Sequence, residues 1–195
     1  MSLRPDLAVI ADNVPEGSSV FDIGCGDGAL MAELVSRRGV DARGLELDAD
    51  NVAAAVAKGL SVVQGNADTD LDTYPAGSFD YAILSQTLQT TWRPDLILKD
   101  LMRLGSHAFV SFPNFAHWRI RTSLLLGGRM PVTRLLPARW YDTPNIHHLT
   151  IDDFRALVDD LGFRIEKSWF LSGGHRTGGR LANLMAEHAV FLLGR

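Results

Sequence analysis

Cysteine is almost absent: Cys25 is the only one in 195 residues, so no disulfide can form within the chain, as expected in a reducing compartment. No apolar run approaches the roughly 18 residues of a membrane span, and Met1-Ser2-Leu3-Arg4-Pro5-Asp6 lacks the apolar core of a secretory leader. Positive charge is not in excess. The 19 Lys and Arg stand against 23 Asp and Glu, a net −4 that provides no overall field for nucleic acid. Paired cysteines and a His-Glu-x-x-His motif are missing. Neighbouring His147 and His148 point to different sides of a strand or lie apart on a helix, so no metal site is expected. These absences predict a cytoplasmic protein that uses neither membrane nor nucleic acid. Hydrophobic residues make up 46 % and charged residues 22 %, which suits one globular domain over 1–195.

Strand-length apolar runs alternate with segments of helical period. Ser19–Ile23, Ala42–Leu47, Ser61–Gln64, Phe79–Leu84, His107–Phe112, Phe163–Leu171 and His188–Leu193 read as seven strands. Leu30, Met31, Leu34 and Val35 recur at helical spacing between Ala29 and Arg38, and Gly39 stops that helix. Asp50–Lys58 is alanine-rich, Pro94 opens a helix through Leu104, and Thr150 with Asp153 forms a capping box for a helix ending near Leu161. Strand, helix, strand in this rhythm predicts an α/β, Rossmann-like, seven-stranded and mostly parallel sheet with right-handed crossovers. A loose glycine-rich connection starts at Ser172-Gly173-Gly174.

One stretch breaks the alternation. Residues 115–148 follow the fifth strand and carry Arg119, Arg121, Arg129, Arg134 and Arg139 against a single acid, Asp142, together with Trp118, Trp140 and Tyr141. An insertion there lies as a lid over the carboxyl edge of the sheet, where open α/β sheets bind ligands. Its arginines read as a solvated face, as a site for an anionic small substrate, or as a match for an acidic partner. Leu124-Leu125-Leu126 reads as internal packing or as an exposed docking stripe.

The chemistry concentrates at Asp22-Ile23-Gly24-Cys25-Gly26-Asp27-Gly28, between the first strand and the first helix of the alternation. Glycines there allow a tight turn and close approach of backbone to a ligand, and the helix beyond favours an anionic group at its N-terminus. Glu46, at the end of the second strand, supplies a carboxylate for two ribose hydroxyls. Gly24, Gly26 and Ala29 also satisfy a loose dinucleotide pattern, which alone is weak. Asp22 argues against it, since a carboxylate beside the loop repels pyrophosphate and attracts an amino-acid ammonium. S-adenosyl-L-methionine (SAM) meets both demands better than a dinucleotide. Cys25 reads as a small packing residue rather than a nucleophile.

The segment Asp22–Gly28 resembles motif I of class I SAM-dependent methyltransferases. More specific are Phe79–Gln89, Ser111–Arg119 and Trp140–His147, which are similar to the MetW family of bacterial methionine-biosynthesis proteins over nearly the whole chain. The resemblance implies a class I methyltransferase fold binding S-adenosyl-L-methionine or S-adenosyl-L-homocysteine. Its cofactor site would be Asp22, Gly24, Cys25, Gly26, Glu46, Leu47, Asn66, Ala67, Ser85 and Gln86. Asn66 stands where the family carries aspartate, and accepts through its amide oxygen without the charge. The resemblance further implies association with homoserine O-acyltransferase. Two functions stay open: an accessory or regulatory subunit of that enzyme, and an active small-molecule methyltransferase. No Asn/Asp-Pro-Pro-aromatic signature follows the fourth strand, and His117, Tyr141 and His147 are the available bases, each of which also reads as a structural residue. The catalytic residues are therefore left unassigned.

Overall fold

The computed structural model describes residues 3–133 and 135–195. Met1, Ser2 and Arg134 lie outside them. The helices are α1 (Pro5–Asn13), α2 (Ala29–Arg38), α3 (Ala49–Ala57), α4 (Ala67–Asp70), α5 (Pro94–Leu104), α6 (Trp118–Gly127), α7 (Ile151–Asp160) and α8 (Ala182–Met185). The strands are β1 (Ser19–Ile23), β2 (Asp41–Glu46), β3 (Ser61–Gln64), β4 (Phe79–Ser85), β5 (Gly105–Pro113), β6 (Arg164–Ser172), β7 (His175–Arg176) and β8 (His188–Gly194). They form one sheet in the order β3-β2-β1-β4-β5-β8-β6-β7. The first five pair in parallel, so their carboxyl ends share one edge. β8 runs antiparallel between β5 and β6.

The expectation of seven strands is corrected to eight. The added strand, β7, has two residues and pairs with Leu171 and Ser172 of β6. Gly173 and Gly174, at φ 58° and 84°, turn the chain back at that point, a conformation open to glycine at little cost. The loose connection expected after Ser172 thus begins as a tight hairpin.

Local chemistry accounts for the helix limits. Gly28 (φ 75°) and Gly39 (φ 59°) bracket α2, whose last turn carries Arg37 and Arg38, favourable charges at a helix C-terminus. Asp48 caps α3, its carboxylate accepting from the N–H groups of Asp50 and Asn51 at 2.9 Å. The capping box of Thr150 and Asp153 opens α7 as expected. Proline at the first turn starts both α1 and α5.

Alternation along the strands builds two cores, one on each face. Phe21 and Ile23 of β1, with Val110 and Phe112 of β5, pack towards Ile97, Leu101 and Phe154 of α5 and α7. Val20 and Phe109 point the other way, towards Ile10 of α1 and Leu30, Met31 and Leu34 of α2. Phe115, Ile120 and Leu136 form a third, small cluster of their own.

Candidate functional site

The loop between β1 and α2 folds back onto the end of β2. Gly24 (φ 72°) donates to Leu45 O at 2.8 Å. A Cβ on Gly24 would collide with Thr87 Oγ1, so the close approach of two loops, as well as the backbone angle, demands glycine. Gly26 N–H donates to Glu46 Oε2 at 2.7 Å, and Asp48 N–H to Glu46 Oε1 at 3.0 Å. Glu46 is buried, yet its carboxylate has about four acceptor positions, and only these two are used by the protein.

Glu46 forms one wall of a cavity of about 240 Å³ at the carboxyl edge of the sheet. Gly24, Leu47, Asn66 and Ala67 line it too, and Thr87, Thr90 and Thr91 close the opposite side. Five of the ten residues singled out in the sequence therefore meet around one hollow. Asn66 is partly committed: its Oδ1 caps α4 by accepting from Asp68 N–H at 2.9 Å. Asp68, which the sequence did not single out, ties the cavity together by accepting from Trp92 N–H at 3.0 Å.

The other five lie elsewhere. Gly26 faces open space and holds Glu46. Cys25 is buried in the core with Met31. Burial, then the negative charges of Asp22 and Glu46, push its thiol up to about 12. A thiol so protonated is a packing group, as its sequence context suggests. Ser85 and Gln86 turn to a cluster at the end of β4. There Ser85 Oγ (3.0 Å), Ser111 Oγ (2.9 Å) and Gln86 Nε2 (3.3 Å) all donate to the buried carboxylate of Asp6. Gln86 is held at φ 53°, alone among the described non-glycine residues in the left-handed region, a strain of the kind found at functional loops.

Asp22 is the unusual group. It is 2 % exposed, and no side-chain hydrogen bond among the described residues ends on it. It does not cap α2, whose N-cap, Gly28, has no side-chain bond. Burial raises its carboxyl to about 7 against the opposing pull of Arg4, and Glu46 adds to the rise. Arg4, the N-cap of α1, and Asp6, in its first turn, were missed in the sequence. The proline at the first helical turn with an acid beside it marks a helix start, but nothing local tells that Asp6 is buried.

None of the possible bases lines the cavity beside Glu46. His117 Nδ1 caps α6 by accepting from Arg119 N–H at 3.4 Å, and burial lowers its pKa. Tyr141 is exposed and accepts from Arg139 at 2.7 Å. His147 Nε2 is buried without a partner among the described residues, while its backbone N–H donates to Gln89 O at 3.0 Å. Residues 118–127 of the irregular stretch form α6, which exposes Leu125 (83 %) and Leu126 (86 %), with Trp140 (72 %) further along the chain. Among its arginines, Arg121 is structural, since its Nε donates to Ala116 O at 2.5 Å.

Five parallel strands, a glycine loop after β1 and a carboxylate closing β2 define an α/β fold of the class I SAM-dependent methyltransferase type. A SAM-dependent methyltransferase from Mesorhizobium loti has this fold, with a TM-score of 0.70 at 20 % identity over 98 % of this chain and 96 % of that one. The family model "Methionine biosynthesis protein MetW" matches residues 4–193, and the chain belongs to the MetW family. It is 32 % identical, over its full length, to the bifunctional methionine biosynthesis protein MetXA/MetW of Rhodopirellula baltica, of which it spans 33 %. Half of it is 29 % identical to a ubiquinone biosynthesis O-methyltransferase of Pectobacterium carotovorum, matching 44 % of that protein. The chain thus spans less than half the length of either relative. Among the described residues no helix is long and apolar enough to cross a membrane.

Proposed function

We propose that this protein is a SAM-binding accessory or regulatory partner of homoserine O-acyltransferase, acting in the cytoplasm. The observation that carries the partnership is the Rhodopirellula relative, in which the MetW-like part shares one chain with MetXA. Two activities kept on one chain hold each other at high effective concentration, which is useful where they must meet.

The residues fit the cofactor. Glu46 keeps acceptor positions turned to the cavity for ribose hydroxyls, and Gly24 leaves backbone open beside it. Leu47, Asn66 and Ala67 would flank the adenine. When bound, SAM supplies an activated methyl group on its sulfonium. Beyond the carboxylates of Glu46 and Asp68, the described cavity lining carries no imidazole, amine or phenol, which favours sensing over transfer, although methyl transfer depends mainly on positioning. Residues 115–148 would act as the lid and contact surface. Leu125, Leu126 and Trp140 are its apolar part, and tryptophan is a frequent interface anchor.

The second reading, an active methyltransferase on a small molecule, is favoured by the likeness of half the chain to an O-methyltransferase. One experiment separates them. The acyltransferase of the same cell is assayed with and without this protein at several SAM concentrations, alongside pull-down and a search for released S-adenosylhomocysteine. The subunit reading expects association and a changed acyl-transfer rate. No association, no rate change and catalytic release of S-adenosylhomocysteine would replace it with the second.

A further inference from the structure

The short turn Leu88–Thr90 divides two hollows. Thr87, Thr90 and Thr91 face the Glu46 cavity, while Leu88 faces a second hollow of about 170 Å³ between α5 and α7. Leu88, Pro94, Leu149, Phe154 and Leu157 give the second hollow apolar walls, and the two share no lining residue. Two polar side chains reach it, Asp153 and His147. Asp153 is committed to the capping box, its Oδ2 accepting from Thr150 N–H at 3.1 Å and from Thr150 Oγ1 at 2.7 Å. His147 is not committed. Its Nε2 is buried and has no partner among the described residues, a costly state for a polar atom. Its backbone is fixed, since the N–H groups of Ile146 and His147 both donate to Gln89 O, at 2.8 and 3.0 Å, and Gln89 is itself buried.

These walls select a ligand. A cavity of roughly 150 Å³ lined by such side chains takes one benzene-sized ring. No Lys or Arg lines the hollow among the described residues, and the Asp153 carboxylate repels an anion. An ammonium would leave water for walls that offer it no free carboxylate. An imidazole Nε2 donates in one tautomer and accepts in the other, and a hydroxyl answers both. The geometry points to a second small-molecule site, for a neutral compound of one ring or equal bulk whose hydroxyl pairs with His147 Nε2. This site does not depend on what the Glu46 cavity holds.

Phenol and toluene, nearly equal in size and differing in the hydroxyl, are the probes, titrated into the whole chain by ligand-observed NMR. Both should bind saturably. His147→Leu should weaken phenol about 3- to 10-fold, the effect of one lost hydrogen bond, and leave toluene within about twofold. Leu157→Trp, which fills the hollow from α7, should abolish binding of both. Thermal melting shows whether the variants fold, and Leu149→Phe is the milder filling variant should Leu157→Trp unfold the chain. Absence of saturable binding to the wild type overturns the inference. So does a phenol affinity that His147→Leu leaves unchanged, or lowers no more than that of toluene. Binding that survives the filling variants would place the ring elsewhere and overturns it equally.

Discussion

Two regions stand over the same edge of the sheet and are built in opposite ways. Around the glycine loop polar groups are tied inward: Gly24 to Leu45, Gly26 and Asp48 to Glu46, Asp68 to Trp92. In residues 115–148 only Phe115, Ile120 and Leu136 form a buried cluster, and Leu125, Leu126 and Trp140 face outward. The first arrangement suits a preformed small-molecule cavity. The second leaves apolar surface uncovered, as contact surfaces do. On the function proposed above, ligand and partner would have separate addresses on one edge.

The sharpest test of the inward region is Asp22, buried with no side-chain hydrogen bond among the described residues. Asp22→Asn removes a carboxyl raised from 3.8 to about 7. In the unfolded chain it loses its proton near its ordinary value, while the folded protein keeps it to about 7. The folded state therefore binds more protons in between, and stability falls as pH rises through that window, with the loss complete above it. The difference amounts to at most about 4 kcal/mol. Urea unfolding at pH 5 and pH 8 should show the wild type losing stability relative to Asp22→Asn, whose amide does not titrate. Parallel pH slopes in the two proteins would mean that Asp22 is ionised and accommodated after all.

Glu46→Ala comes next. Loss of a charged acceptor for two hydroxyls should weaken SAM by roughly 2–4 kcal/mol. Gly26 and Asp48 also lose their acceptor, so stability should fall by roughly 1–3 kcal/mol. Calorimetry beside denaturant titration reads both. An affinity that holds while stability drops would make Glu46 a brace for the loop and nothing more.

The same contrast explains what could be read beforehand. Period-2 and helical spacings in 19–113 and 150–193 are written in neighbouring residues, so β1 to β6, β8, the helices α2, α3, α5 and α7 and the capping box were legible, while the single-turn helices α4 and α8 were too short to show a period. The glycine loop and Glu46 were legible because the turn chemistry is local. The Asp6 cluster was not, since its bonds to Ser85 and Ser111 span 79 and 105 residues. α6 escaped notice because its apolar residues face both ways: Ile120 is buried while Leu125 and Leu126 are exposed, so no one-sided stripe appears. β7 depends on a two-glycine turn and a partner strand, which two residues cannot announce.

The outward region predicts a different pattern. Leu125→Ser with Trp140→Ala should change unfolding free energy by no more than about 0.5 kcal/mol, as for exposed positions in general. Binding to homoserine O-acyltransferase should weaken by about 2 kcal/mol or more, with SAM affinity unmoved. Arg119→Glu is a milder companion, and Arg121→Glu is a poor one, because Arg121 holds Ala116 O and its loss would disturb α6 itself. A destabilised fold with intact partner binding would place these side chains in a core rather than on a contact surface.

The smallest effect is expected at Asn66, where the inward region would meet the proposed ligand. Asn66 Oδ1 caps α4 by accepting from Asp68 N–H, and its own N–H donates to Asp70 Oδ2. Aspartate caps about as well as asparagine, and its charge strengthens the bond to Asp68 N–H. Against that stand the nearby charges of Asp68 and Asp70 in the same short turn. The terms nearly cancel, so Asn66→Asp should alter stability by no more than about 0.5 kcal/mol. The cofactor reads the difference more clearly. Asparagine presents one oxygen, already used as a cap, and an amide that can only donate. Aspartate adds a second, charged oxygen for the adenine amino group, and SAM should bind a few-fold tighter, less than about 1.4 kcal/mol. A tenfold loss would show that residue 66 donates to the base through its amide, so that the asparagine is a requirement of this cavity rather than a tolerated replacement.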